Sequence, residues 1–231
     1  MRFLAAGLTH IGGRTGNEDA FHADDRLIAV ADGVGGAPAG EVASRLAVDT
    51  VAGLADTDPL DAVRQANAAV RSHPDPDTAG MASTLVFAAL WHGESGWVVR
   101  GAHVGDSLTF VNGVRTTRGH TLAAELVAAG HLTPEEAVRH PHRAALVRAI
   151  GLDTGIEPDL WSRPAVAGDR YILSSDGLTD ALGDTVEDRL AELAAVSPAE
   201  CASTLVQLAL AADARDNVTV VVADVLADDE N

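Results

Sequence analysis

Apolar residues follow two rhythms along this chain. Short unbroken runs rich in Val, Ile and Leu (Leu27 to Ala31, Thr84 to Leu90, Tyr171 to Leu173, Val218 to Val222) are bounded by turn residues. Such runs predict buried strands. Elsewhere the apolar positions recur at helical spacing: Val42, Leu46 and Val51; Leu60, Val63 and Val70; Cys201, Leu205, Leu208 and Ala212. Capping grammar marks the helix starts at Asp58-Pro59, Thr133-Pro134-Glu135-Glu136 and Ser197-Pro198-Ala199-Glu200. Shorter helices are predicted over Thr121 to Leu126 and Ala144 to Ile150, the second closed by Gly151. Phe3 to Leu8 reads as an edge strand. Gly96 to Val104 and Ser107 to Val111 read as strands, with a hairpin turn at Asn112-Gly113. Arg71 to Gly80, broken by two prolines and a glycine, is a loop.

Strands in runs, with helices in pairs between them, do not suit a parallel doubly wound sheet. They predict an α+β protein in which antiparallel sheets pack face to face and helices cover the outer faces. No internal repeat or low-complexity linker divides the sequence, so a single domain over residues 1–226 is expected, followed by an acidic tail at 227–231 that includes Asp228-Asp229-Glu230.

Charge narrows the functions available. Thirty-four Asp and Glu against sixteen Lys and Arg give a net charge of −18, a field that repels nucleic acid and anionic membrane. No stretch of about 18 apolar residues predicts a membrane span, and the apolar start of the chain is too short for a signal peptide. A cytoplasmic location is expected. The single cysteine, Cys201, excludes a disulfide framework. Its helical spacing with Leu205 predicts a core residue rather than a nucleophile.

Within this acidic chain four aspartates share one local grammar. Asp32, Asp106, Asp176 and Asp216 each stand at a strand end or start, beside a glycine or another turn residue. Either they are unrelated turn aspartates, or the strand ends converge and the clustered carboxylates need a divalent cation to offset their repulsion. All-oxygen ligation favours magnesium or manganese over zinc or copper. His131, His140 and His142 lack partners at zinc-like spacing and read as solvated surface residues.

Taken in order, Arg14-x-x-Asn17-Glu18-Asp19, Asp32-Gly33-x-Gly35-Gly36, Gly105-Asp106-Ser107, Ser175-Asp176-Gly177 and Asp216-Asn217-x-Thr219 resemble the motifs of the metal-dependent serine/threonine protein phosphatases, the PPM or type 2C family, in its compact bacterial form. The resemblance spans nearly the whole chain. It implies an antiparallel β-sandwich flanked on both faces by helices, a four-layer αββα arrangement. It also implies hydrolysis of phosphoserine and phosphothreonine in proteins by a hydroxide held between two manganese or magnesium ions. Carried over by position, Asp32 would bridge the two ions, the Gly33 carbonyl would join one of them, and Asp176 and Asp216 would complete the pair. Glu18 and Asp19 would ligate directly or through water, and Asp106 with Asp176 would serve a third, weaker site. Arg14 would hold the phosphate with its planar fork.

The resemblance further implies phosphoprotein partners, those of a serine/threonine kinase, and a monomer is expected. Departures from the family pattern are Val34 and Ala37 where histidines are frequent, Leu108 where arginine follows Gly-Asp-Ser, Gly119-His120 for Asp-His, and Ala82-Ser83-Thr84 for Gly-Thr-Thr. The segment from Leu132 to Arg143 resembles the family's flap beside the active site. Two other functions share these residues: a phosphoesterase acting on a small phosphorylated metabolite, and a phosphatase-like binding module without turnover. The retained carboxylates argue against the second.

Overall fold

The computed structural model describes residues 1–94 and 96–227; the acidic stretch Asp228-Asp229-Glu230 lies outside them. The described strands are β1 (Arg2–His10), β2 (Asp19–Ala23), β3 (Leu27–Asp32), β4 (Leu85–Gly93), β5 (Gly96–Val104), β6 (Leu108–Val111), β7 (Val114–Arg115), β8 (Asp159–Pro164), β9 (Arg170–Ser174) and β10 (Val218–Leu226). They form two five-stranded sheets, ordered β1-β10-β9-β6-β7 and β2-β3-β4-β5-β8, with every pairing antiparallel. The helices are α1 (Gly40–Ala52), α2 (Pro59–Arg71), α3 (Leu122–Ala128), α4 (Pro134–Val138), α5 (Asp176–Leu182), α6 (Val186–Glu192) and α7 (Pro198–Ala211).

A strand covered on both faces has no polar positions to alternate with its apolar ones. The three apolar clusters display this. On β3, Leu27, Ala29 and Ala31 pack with α1 and α2, whereas Ile28 and Val30 face the other sheet. On β10, Val218, Val220 and Val222 pack with α7, and Val221, Ala223 and Val225 turn inward. The result is the helix–sheet–sheet–helix order expected from the sequence.

Helix starts follow the capping residues. The side chains of Asp58, Thr133 and Ser197 accept from backbone N–H groups of Leu60, Glu136 and Glu200, and Thr133 with Glu136 completes a capping box. Asn112 and Gly113, at φ 52° and 80°, make the predicted hairpin turn.

Two expectations need correction. Residues 144–150 are not a helix: Leu146 bridges Thr121, and Ile150 exchanges backbone hydrogen bonds with Ser83, so partners distant in sequence override local spacing. On α7 the buried face is Cys201, Ala202, Leu205, Val206 and Ala209, while Leu208 is half-buried and Ala212 exposed.

Candidate active site

Antiparallel pairing brings the proposed residues to one end of the sandwich. Asp32 ends β3, and Asp19, which starts β2, stands directly opposite it in register. Asp106 follows β5, Asp176 opens α5 just after β9, and Asp216 precedes β10. Arg14 lies beyond the end of β1, which pairs with the start of β10. Glu18, Asp32, Asp106, Asp176 and Asp216 line one cleft of about 310 Å³ together with Arg14, Gly33 and Val34. Asp19 is buried and does not line this cleft; its Oδ2 accepts from the Ser175 hydroxyl at 2.8 Å.

The backbone around these carboxylates is fixed by a polar network. The Asp32 N–H donates to Thr84 Oγ1 at 2.9 Å, and the Asp32 carbonyl accepts from the Thr84 N–H and the Ser83 hydroxyl, both at 2.8 Å. Thr84 Oγ1 meets Ser107 Oγ at 2.7 Å, which ties the Asp32 strand end to the Asp106 turn. Asn217 fastens the loop that carries Arg14 and Glu18. Its Nδ2 donates to the carbonyls of Ile11 and Gly16, and its Oδ1 accepts from the Glu18 N–H. Gly33 is a glycine by necessity, because a Cβ there would lie 2.4 Å from the carbonyl carbon of Gly40 at the start of α1.

Crowding of like charges out of water dominates the electrostatics. Burial, then the neighbouring Asp19, Asp176, Asp106 and Asp216, holds the Asp32 carboxyl well above the usual carboxylate range. Burial together with Asp106, Asp180, Asp216 and Asp19 pushes Asp176 up to about 8, and burial pushes Asp106 up to about 6. Asp19 is raised as well, chiefly by burial, against the opposing hydrogen bonds of Thr219, Ser175 and Asp32. One oxygen of Asp176 and one of Asp19 are buried without a hydrogen-bond partner. A concave wall of hard oxygen donors with unmet acceptors suits a magnesium- or manganese-like cation.

Arg14 provides the positive charge on the cleft wall. It is half-exposed, and its Nη2 donates to Asp216 Oδ2 at 2.5 Å. No histidine lines the cleft among the described residues, and Val34 leaves its part of the wall apolar. His131, His140 and His142 lie outside it: His131 and His142 are exposed and His140 is half-buried. Ala144, Ala145 and Leu146, just beyond the flap-like segment, form one lip.

Nothing in the sequence alone marks the supporting residues Thr84, Ser107, Ser175 and Asn217, although Ser107, Ser175 and Asn217 sit within the family motifs and Thr84 within Ala82-Ser83-Thr84. Hydroxyls and an amide at strand ends give no chemical signal until their partners are known.

The family model described as protein phosphatase 2C matches residues 6–207. The serine/threonine protein phosphatase PstP of Mycobacterium tuberculosis is 44% identical over 229 residues, covering 92% of this chain but 43% of PstP. The chain thus spans less than half the length of that relative. Protein phosphatase PhpP of Streptococcus pneumoniae is 34% identical over 92% of this chain and 94% of its own. Among solved structures, the M. tuberculosis phosphatase PstP/Ppp superposes with a TM-score of 0.86 at 38% identity, covering 98% of this chain and 100% of that one. The PstP catalytic domain in complex with two manganese ions gives 0.83 at 38% identity, covering 98% and 99%. The chain belongs to the protein phosphatase 2C family.

Proposed function

We propose that this chain is a metal-dependent protein serine/threonine phosphatase. The observation that carries the reading is the meeting of five acidic side chains from distant segments with one arginine in a single cleft, where a buried Asp176 oxygen has no partner. In this reading Asp32, the Gly33 carbonyl, Asp176 and Asp216 hold two manganese or magnesium ions. Glu18 and Asp19 assist directly or through water, and Asp106 with Asp176 serves a third ion. When bound, the cations supply a water nucleophile activated near neutral pH and offset charge on the phosphoryl oxygens.

The chain's own groups do the rest. Arg14 exchanges Asp216 for the phosphoryl oxygens, to which its fork can donate two parallel hydrogen bonds. Asn217 keeps the Arg14 loop in register, and the Thr84–Ser107 pair holds Asp32 and Asp106 at a fixed separation. Val34 can neither accept nor donate a proton, so no side chain at that point of the wall protonates the leaving seryl or threonyl oxygen. Cys201, on the buried face of α7, takes no part.

The same reading makes residues 1–226 one working unit, a cytoplasmic monomer that reverses a serine/threonine kinase. The support for the substrate class is that relatives of this family are named serine/threonine phosphatases; among the described residues no helix is long and apolar enough to cross a membrane. Hydrolysis of phosphoserine and phosphothreonine peptides, compared with sugar phosphates by kcat/KM in manganese, tests it. A preference for phosphopeptides that chelator abolishes is expected. Turnover of sugar phosphates alone, or none at all with manganese present, refutes it.

A further inference from the structure

Outside the cleft, His103, His120 and Asp159 each bring one potential ligand atom within 4.8 Å of the others. The trio resembles a metal site but is hydrogen-bonded as something else. The Gly105 N–H points at His120 Nδ1, 3.2 Å away, so Nδ1 carries the lone pair and Nε2 the proton. That proton faces Asp159 Oδ2 at 3.2 Å, which leaves His120 no electron pair for an ion. Arg148 fills the remaining approach: its Nη1 lies 3.3 Å from His120 Nε2 and donates to Asp159 Oδ1 at 2.9 Å. His103, fully buried with both ring nitrogens unpartnered, lies against the His120 ring at 4.3 Å between centroids.

The arrangement is a clamp on one residue. His120 donates its backbone N–H to the Gly105 carbonyl at 2.7 Å while its ring accepts from the Gly105 N–H. Gly105 sits at φ +100°, and a Cβ there would meet Thr84 at 2.6 Å, so the turn is narrow and depends on being held. The next residue is Asp106. Gly119, the neighbour of His120, packs so closely that a Cβ on it would lie 3.3 Å from Asp106 Cβ. On its other side the His120 carbonyl accepts from Val147 at 2.9 Å, and Thr121 bridges Leu146 on the cleft lip.

We propose that His120, braced by Asp159 and Arg148, is a positioning residue that sets the Gly105–Asp106 turn and thereby the affinity of the outer cation site, while joining that turn to the lip at residues 144–148. This inference rests on the assignment of Asp106 to a cation site made above. Groups behind a ligand commonly alter metal affinity 10- to 100-fold. An asparagine at 120 can present its carbonyl oxygen near the place of Nδ1 and so keep the bond from Gly105; an alanine cannot.

The test is calorimetric titration of the full chain with manganese alone. His120→Ala is expected to weaken the weakest site about tenfold while the two tight sites change less than about twofold; His120→Asn is expected to stay within about threefold of wild type throughout. Superimposable isotherms for wild type and His120→Ala overturn the inference, as does equal weakening of all sites. Should His120→Ala fail to fold, the exposed Asp159→Ala replaces it: about threefold weakening of the outer site supports the clamp, and no change overturns it. Amide hydrogen exchange over residues 104–108 in chelator separates the two readings. If wild type binds no manganese, the phosphatase reading fails. Exchange that quickens in His120→Ala and recovers in His120→Asn still establishes the clamp, whereas unchanged exchange overturns it.

Discussion

Replacing Asp176 by asparagine should make the metal-free protein more stable. Burial and four neighbouring aspartates push this carboxyl up to about 8, whereas in the unfolded chain it titrates near ~4. Between those values the folded state keeps a proton that the unfolded state has released, so stability falls as pH rises. The contribution is complete below about pH 4 and gone above about pH 8. At pH 7 the mismatch amounts to roughly 4 kcal/mol, and water entering the open cleft is expected to screen half of it. A neutral side chain of the same shape removes that cost, because asparagine has no proton to lose on unfolding. A gain of ~2 kcal/mol corresponds to a Tm rise of about 4–8 °C for a chain of this size. Circular dichroism melts in chelator at pH 7.5 measure it. Each manganese ion at 100 times its Kd should add about 2.7 kcal/mol to wild type, and the gain should be much smaller in Asp176→Asn. The reasoning is refuted if the variant melts at or below the wild-type temperature in chelator, or if the wild-type Tm is flat from pH 5 to 8.

Arg14→Ala should raise KM for a phosphopeptide about 10- to 100-fold, the worth of a charge-assisted hydrogen bond, and leave calorimetric manganese affinity equal or tighter because Asp216 is freed. Arg170 donates to both Asp224 oxygens and to the carbonyls of Leu193 and Val196. Its loss strands a partly buried carboxylate, so Arg170→Ala should cost about 3–5 kcal/mol in urea melts, with kcat at 25 °C unaltered. Cys201→Ala should keep kcat/KM within about twofold and iodoacetamide should not inactivate the wild type, since burial raises this thiol and hides it.

The strands that matter for the cleft were readable in the sequence because they are buried on both faces. β3, β4, β9 and β10 appear as unbroken apolar runs, and Asp32, Asp176 and Asp216 mark where three of them enter or leave the sheet. β2 and β8 were not readable. Both are edge strands with half their residues or more outside the core, so their side chains carry little apolar signal, and pairing with β3 and β5 defines them. Residues 144–150 misled for a related reason: alanine-rich spacing favours a helix, but backbone partners at Ser83 and Thr121 compensate for what the helix would have given. At the cleft, the acidic residues were legible as chemistry, whereas their relative placement was not. That Asp19 stands opposite Asp32 follows from the β2–β3 register, which no local pattern specifies. The clamp on Gly105 was equally hidden, since His120 and Asp159 are 39 positions apart and meet only through the β5–β8 edge.

The most direct measurement is anomalous diffraction from a crystal soaked in manganese. The account predicts two strong peaks bounded by Asp32, Asp176 and Asp216 and a weaker one shared by Asp106 and Asp176, with Arg14 released from Asp216. A cleft without peaks, or manganese held at His103, His120 and Asp159 instead, would contradict it.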